Sequence, residues 1–451
     1  MFGKKYTSEY KTNLKLAGPV MLSQLGHVMV GITDNLMVGQ VGVEALDGGA
    51  VANSVFIIFM VFGIGVSFGM TPLIAQADGQ KDGSEISSVL KHGLILNTIL
   101  GIILCVLAVS STSILDYMGQ SEEVVVLARP YMVTIGCSII PFMIFQSFRQ
   151  YAEGLSLTKP AMYISLGANI LNVVLNYILI FGHLGFEAMG LLGAGIATLI
   201  ARILMAMAMF LLVTRHKRLK SYYQFMSRCR FEMEKIKELT KIGFPSGLQF
   251  IFEVSAFAFA SIMAGWLGVL SLAAHQIAIS LASVSYMIAS GIGASATIRV
   301  GNQLSQKNFK MLRIVGYSNF SIGIYFMAIA GLVFALGRYF LPSLFIDNVE
   351  VIDIAATLMI IAVMFQLSDG VQVVGLGALR GMSDVKIPTM ITLVAYWGIG
   401  LPIAYYLVFT LKMGVEGIWY GLFIGLSVSA ILLLLRFQNL TKTLQQKHQA
   451  N

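Results

Sequence analysis

The run from Leu16 to Gly39, LAGPVMLSQLGHVMVGITDNLMVG, constrains this chain more than any other stretch. About 20 apolar residues cross the roughly 30 Å hydrocarbon core of a bilayer. This run is long enough to do so, and it carries His27 and Asp34 inside it. An aspartate in such a helix costs roughly 2.5–3.5 kcal/mol on insertion scales, so Asp34 has to face protein or water rather than lipid. A carboxylate placed there is either satisfied by neighbours for packing or handles an ion or substrate.

The same stretch returns later. At an offset of 226 residues, Gly18–Lys81 lies on Phe244–Lys307 without a gap. Pro19 matches Pro245, Gly39 matches Gly265, and Gly42 matches Gly268. Gly65/Gly291, Thr71/Thr297, Gln80/Gln306 and Lys81/Lys307 follow in one register. Shared apolar composition gives scattered matches; matched proline, glycine, glutamine and lysine indicate an internal duplication. The acids break the symmetry, because Asp34 aligns with Ala260 and His27 with Glu253.

Of the 451 residues, 57% are hydrophobic and 12% charged, where soluble domains carry about 25% charge. The chain therefore reads as an all-α polytopic membrane protein, and its 45 glycines suit closely packed membrane helices. A net charge of +8 does not imply nucleic acid here. The basic residues sit at helix ends and in loops, where they set topology and meet anionic lipid. Cys105, Cys137 and Cys229 form neither a metal spacing nor a disulfide framework. The N-terminal MFGKKYTSEYKTNLKL is polar and the first apolar run is too long for a signal-peptide core, so that run is expected to remain as the first span.

Hydropathy predicts twelve spans, roughly 15–38, 50–77, 92–115, 126–149, 159–182, 189–213, 242–264, 274–299, 314–337, 353–379, 387–410 and 416–436. Loop charge alternates along them. One side holds Lys4, Lys5, Lys11 and Lys15, then Lys81 and Lys91, Arg149 and Lys159, the basic 215–241 stretch, Arg299 to Arg313, Arg380 and Lys386, and the C-terminal tail. The other side is acidic or neutral apart from Arg129, Arg338 and Lys412. The positive-inside rule then places both termini in the cytoplasm. Two pseudo-symmetric six-helix lobes follow, an N-lobe over 1–214 and a C-lobe over 242–451, joined by a cytoplasmic linker over 215–241. Six helices return the chain to its starting side, so the copies run parallel about an axis along the membrane normal.

The ends of the lobes echo too. Glu153-Gly154-Leu155-Ser156 precedes Lys159-Pro160, and Arg380-Gly381-Met382-Ser383 precedes Lys386-Ile387-Pro388. Glycine suits a tight turn there and proline the start of the next helix. An enzyme reading has one candidate, Gly65-Val66-Ser67-Phe68-Gly69, which fits G-x-S-x-G. A nucleophile elbow needs a strand-to-helix turn, and this motif lies in an apolar helix, so small-residue packing explains it. The sequence has no H-E-x-x-H and no Walker A motif, which points to transport driven by an ion or substrate gradient.

Asp34-Asn35-Leu36-Met37-Val38-Gly39 resembles the D-x-x-M-x-G pattern of the multidrug and toxic compound extrusion (MATE) family. So do Gly243-Phe244-Pro245, Phe252-Glu253 and Gly377-Ala378-Leu379-Arg380-Gly381, and Glu253 with Asp369 looks like the acidic pair of the NorM-type branch. The resemblance covers nearly the whole chain. It implies an antiporter of the bacterial cytoplasmic (inner) membrane, monomeric, that expels organic, often cationic, drugs and dyes while sodium ions or protons run inward. Its cavity would open alternately to the two sides. No cofactor beyond the coupling ion, and no nucleic-acid partner, is implied. By the same resemblance, Asp34, Asn172, Asn176 and Thr198 form an N-lobe cation site, Glu253 and Asp369 a C-lobe cation site, and Glu253, Phe365 and Asp369 hold substrate. Some relatives carry aspartate where this chain has Asn176, which leaves one negative charge fewer.

Side-chain chemistry stands beside that resemblance. Asn172 and Asn176 are an i,i+4 pair that offers two carbonyl oxygens on one helix face, although hydrogen-bonded helix packing explains them equally. Phe365 and Asp369 share the spacing and suit an organic cation through ring face and charge, while core packing is the ordinary role of a phenylalanine. Glu253, about 12 residues into its span, lies near the midplane. Two carboxylates brought together there cannot both ionise cheaply, and one bound cation relieves them. Arg202, inside the sixth span, either pairs with a buried carboxylate or snorkels. The alternative of a lipid-linked saccharide flippase calls for several basic residues around pyrophosphate, whereas these spans carry carboxylates and few arginines.

Overall fold

Helices in this chain run past the apolar segments that announce them. The structure is a computed structural model that describes residues 4–450, with side chains described over 8–448; the side chains of Lys4 and Lys5 in the basic arm lie outside the described residues. Among the described residues, twelve helical segments are long and apolar enough to cross a membrane. They are Ser8–Gly39, Val43–Gln80, Gly83–Tyr117, Glu122–Gly154, Thr158–Phe181, Gly190–Arg215, Met233–Trp266, Val269–Ser305, Phe309–Leu336, Val349–Gly381, Lys386–Thr410 and Val415–His448. The twelve spans and the all-α class agree with the sequence reading; several boundaries do not. The seventh begins at Met233 rather than near residue 242, and the twelfth runs on to His448. Hydropathy marks where lipid ends, whereas the hydrogen-bonded helix continues into water on charged side chains. Lys235, for instance, bonds Glu85 at 2.6 Å and Glu238 at 3.1 Å within that extension.

Three cations assigned to loops are corrected by these longer helices. Arg149 is buried on the helix Ile139–Gly154, where its Nε donates to Glu153 at 2.7 Å. Arg299 lies inside Val269–Ser305 and pairs with Glu9 of the first span. Arg380 belongs to the last turn of Val349–Gly381, its guanidinium 6.0 Å from the Phe250 ring.

The duplication is written into the backbone. Lys81 and Lys307 both take left-handed φ, 60° and 56°, where the second and eighth spans end. Asp82 and Asn308 then cap the following helices, accepting from Glu85 N at 3.0 Å and Met311 N at 3.2 Å. Ser156 and Ser383 are likewise left-handed, φ 63° and 59°. The glycines before them therefore serve a different purpose from the turn expected of them. Gly154 and Gly381 end helices, and a Cβ on Gly381 would sit 2.6 Å from Thr297 O, so close packing excludes a side chain.

Packing divides the chain into two compact units, Leu22–Gly247 and Met1–Met21 with Leu248–Asn451. The two boundaries, 21/22 and 247/248, are 226 residues apart, the offset of the duplication. The sequence division at 214 and 242 draws the lobes differently, because the N-terminal half of each lobe's first span packs in the other unit. In the first unit named, a Cβ on Gly65 would lie 2.6 Å from Gly247 Cα. In the other, a Cβ on Gly291 would lie 2.5 Å from Met21 Cγ. Matched glycines thus receive matched segments. Gly65 and Gly69 of the G-x-S-x-G segment are packing glycines, and Ser67 Oγ donates to Ile64 O at 2.7 Å.

The unit Leu22–Gly247 is built on a core that includes Ala52, Phe56, Met132 and Ile139. Its 215–241 segment is more than a tether. The helix Lys217–Met226 buries Leu219, whose carbonyl accepts from Tyr151 OH at 2.8 Å, and Arg218 reaches Asp78 at 2.5 Å. Lys91 Nζ donates to Cys229 O at 2.6 Å and the Glu232 N–H donates to His92 Nε2 at 2.8 Å. The second unit has one core around Trp419, Tyr396 and Met359 and another in which Ala17 and Met21 meet Ile292, Ala296 and Phe437.

Candidate functional site

In the unit Leu22–Gly247, three spans bring four sequence-selected residues into one hydrogen-bonded ladder. Asn176 Nδ2 on the fifth span donates to Asp34 Oδ1 on the first at 2.5 Å and reaches Asn172 Oδ1 at 3.4 Å. Asn172 Nδ2 in turn donates to Thr198 Oγ1 on the sixth at 3.4 Å. The i,i+4 spacing puts both amides on one face, as the sequence implied. Asn172 and Asn176 are buried and Asp34 is half-buried. The ladder consumes amide N–H groups and leaves oxygen: Asn176 Oδ1 is buried with no donor among the described residues. A buried acceptor without a donor is costly, and a cation satisfies it.

Asn169 extends the same stripe and was missed from the sequence, although it lies three residues before Asn172. A Cβ on Gly26 of the first span would sit 2.8 Å from Asn169 Nδ2, so glycine there lets the two spans meet. Beside the ladder, Asn53 Nδ2 donates to Tyr131 OH at 3.2 Å.

Among the described residues, Arg202 is in salt-bridge contact with no carboxylate. Its Nη1 donates to Ser138 Oγ at 2.7 Å and its Nη2 lies 3.2 Å from Met60 Sδ. The guanidinium sits 4.9 Å from the Phe142 ring centroid and 5.5 Å from that of Phe56.

The other unit holds the second sequence-selected group. Glu253, Asp369 and Phe365 are all buried, and the two carboxylates act on one another electrostatically. Tyr286 and Tyr396 feel both acids, and Arg380 feels Glu253. Tyr396 OH accepts from Gln372 Nε2 at 3.0 Å, and Gln366 Nε2 donates to Ser285 Oγ at 2.6 Å. The oxygens Gln366 Oε1 and Gln372 Oε1, three residues either side of Asp369, are buried without donors among the described residues. Gln366, Gln372, Tyr286, Tyr396 and Arg380 were not singled out as site residues; the spacing of the glutamines about Asp369 was their only signal.

Phe365 is 4% exposed and belongs to the aromatic core, with Phe257 at 6.2 Å and Trp419 at 5.6 Å between ring centroids. Phe257, one turn after Glu253, also meets Tyr396 at 5.8 Å. Each acid therefore has an aromatic one turn away on its own helix. No cluster of three or more His, Cys, Asp or Glu side chains occurs among the described residues. The oxygen-rich groups suit a hard monovalent ion, a proton or an organic cation better than a transition metal.

The family profile MatE matches residues 19–178 and 245–406, two segments whose starts repeat the duplication offset. The chain belongs to the MATE family, in its NorM-type branch. This MATE protein is 33% identical over 440 residues to a protein of Agrobacterium fabrum described as "Probable multidrug resistance protein NorM", covering 96% of this chain and 95% of that one. It is 32% identical over 437 residues to the "Multidrug resistance protein NorM" of Photobacterium profundum, covering 96% of each. The MATE fold is shared with a solved multidrug resistance MATE family transporter of the MOP superfamily in an outward-facing conformation, at TM-score 0.90, 20% identity and 97% coverage of both chains. The eukaryotic MATE transporter AtDTX14 superposes at TM-score 0.87 with 24% identity, over 98% of this chain and 99% of that one.

Proposed function

We propose that this MATE protein is a multidrug efflux antiporter of the bacterial inner membrane, driven by inward flow of sodium ions or protons. The observation that carries the reading is an intramembrane carboxylate group in each unit, Asp34 in its amide ladder and Glu253 with Asp369 among tyrosines and glutamines. Intramembrane acids of this kind mark ion and substrate pathways. Relatives described as multidrug resistance proteins support drug-like cargo. Carboxylates in the spans favour organic cations over the pyrophosphate of a lipid-linked saccharide.

In this reading a coupling ion and a cationic drug compete for acidic groups, and alternating access carries each in its own direction. Both termini and the 215–241 segment face the cytoplasm, following the charge alternation. The test is dye efflux from proteoliposomes under a sodium gradient alone and then under a proton gradient alone. Efflux under at least one supports coupling; efflux under neither, from protein that binds dye, overturns it.

A further inference from the structure

Arg202 carries a full charge inside a membrane span, where a cation is expensive, and its contacts leave that charge unneutralised. Ser138 Oγ is a fixed acceptor, because its own hydrogen goes to Ile135 O at 2.6 Å. Met60 Sδ is a weak acceptor, and the Phe56 and Phe142 faces attract a cation through their quadrupoles without cancelling it. These groups hold a planar guanidinium, which stacks on rings as an ammonium does not.

The position of this charge is specific. Arg202 lies four residues after Thr198, so it projects from the same face of the sixth span, about 6 Å along the axis. Thr198 is the last rung of the ladder that ends at Asp34. Asp34 and Arg202 act on one another electrostatically, and Tyr131 feels both.

We propose that Arg202 is the tethered counter-cation of the Asp34 ladder: it balances the carboxylate when no coupling ion is bound and, by repulsion, sets how weakly the ladder holds that ion. The proposal rests on reading the ladder as a coupling-ion site. A lone carboxylate beside the orphan Asn176 oxygen would hold a cation too well to release it. A fixed positive charge nearby in a poorly solvated interior weakens that hold by roughly tenfold or more.

The test uses the full-length protein and its Arg202→Met, Arg202→Lys and Asp34→Asn variants, with Arg202→Met also combined with Asp34→Asn. Methionine fits the apolar cage without charge, and lysine keeps the charge should methionine fail to fold. Two quantities are read on purified protein: the half-saturating concentration in binding of radioactive sodium, and the half-saturating proton concentration in proton uptake followed with a pH-sensitive dye in weakly buffered solution. For whichever cation depends on Asp34, Arg202→Met is expected to lower the value roughly tenfold. Arg202→Lys should stay near wild type, and the Arg202 effect should vanish in Asp34→Asn. Dependence on Asp34 with no shift in Arg202→Met, or a tenfold fall in folded Arg202→Lys, overturns the counter-cation and leaves the coupling site standing. Sodium and proton dependence that ignore Asp34 overturn the coupling-site reading, and the counter-cation with it.

Discussion

The side-chain amide of Asn176 donates to Asp34 Oδ1 at 2.5 Å. A neutral donor is thus the direct partner of the intramembrane acid, and the bond can survive in weaker form if the acid is made neutral, because an asparagine oxygen also accepts. Asp34→Asn should therefore insert and fold like wild type, with an unchanged gel-filtration profile, and lose gradient-driven efflux altogether. Normal efflux by a well-expressed Asp34→Asn protein would reduce Asp34 to a packing residue.

Orientation is testable at the linker. A cysteine placed at exposed Ser221, in a background lacking Cys105, Cys137 and Cys229, should react with a membrane-impermeant maleimide only after the cells are opened. Native Cys229 makes a slower reporter. Its thiol is held above the ordinary cysteine value by burial, only partly offset by Lys91. The thiolate is the nucleophile, so a raised value means less thiolate at neutral pH. Labelling of Cys229 in opened cells should lag behind the Ser221→Cys site at neutral pH and catch up as pH rises. Labelling of Ser221→Cys in intact cells would reverse the assigned orientation.

Gly65 tests the crossed packing at the unit boundary. Its Cβ would meet Gly247 Cα at 2.6 Å, backbone that cannot rotate away. Overpacking of this kind costs about 1–3 kcal/mol. Gly65→Ala should lower the thermal midpoint of the purified protein by several degrees. Gly167→Ala, with nothing within 4 Å of its Cβ, should keep or slightly raise the midpoint, because alanine favours a helix over glycine. Equal midpoints for the two variants would contradict the close approach.

Much of this was legible in the sequence because the signals are collective. Twelve spans follow from hydropathy, and the 226-residue offset from Pro19/Pro245 and Gly65/Gly291 in one register. Helix ends were not legible, because charged turns such as 233–241 remain helical outside lipid. For the same reason Arg149, Arg299 and Arg380 read as loop charges. The ladder partners were reached through family resemblance supported by i,i+4 spacing. Asn169, Gln366 and Gln372 were missed because three-residue spacing from a selected residue is a weak signal until a partner is seen across from it. The cage around Arg202 draws on Phe56, Met60, Ser138 and Phe142, from the second and fourth spans, and no local spacing announces it.

Competition for a cation centres on Glu253 and Asp369. Two buried carboxylates that feel one another, with acceptor oxygens on Gln366 and Gln372 alongside, favour one bound cation over none. If a coupling ion and a cationic drug share that group, each must weaken the other, and their titration belongs to the pair rather than to either residue. The decisive measurement is the dissociation constant of a fluorescent cationic dye for purified wild-type protein across a wide range of sodium concentration and of pH. Apparent competition with at least one of the two ions is expected, abolished in Glu253→Gln and in Asp369→Asn. Dye affinity that stays constant across both ranges would contradict the shared site.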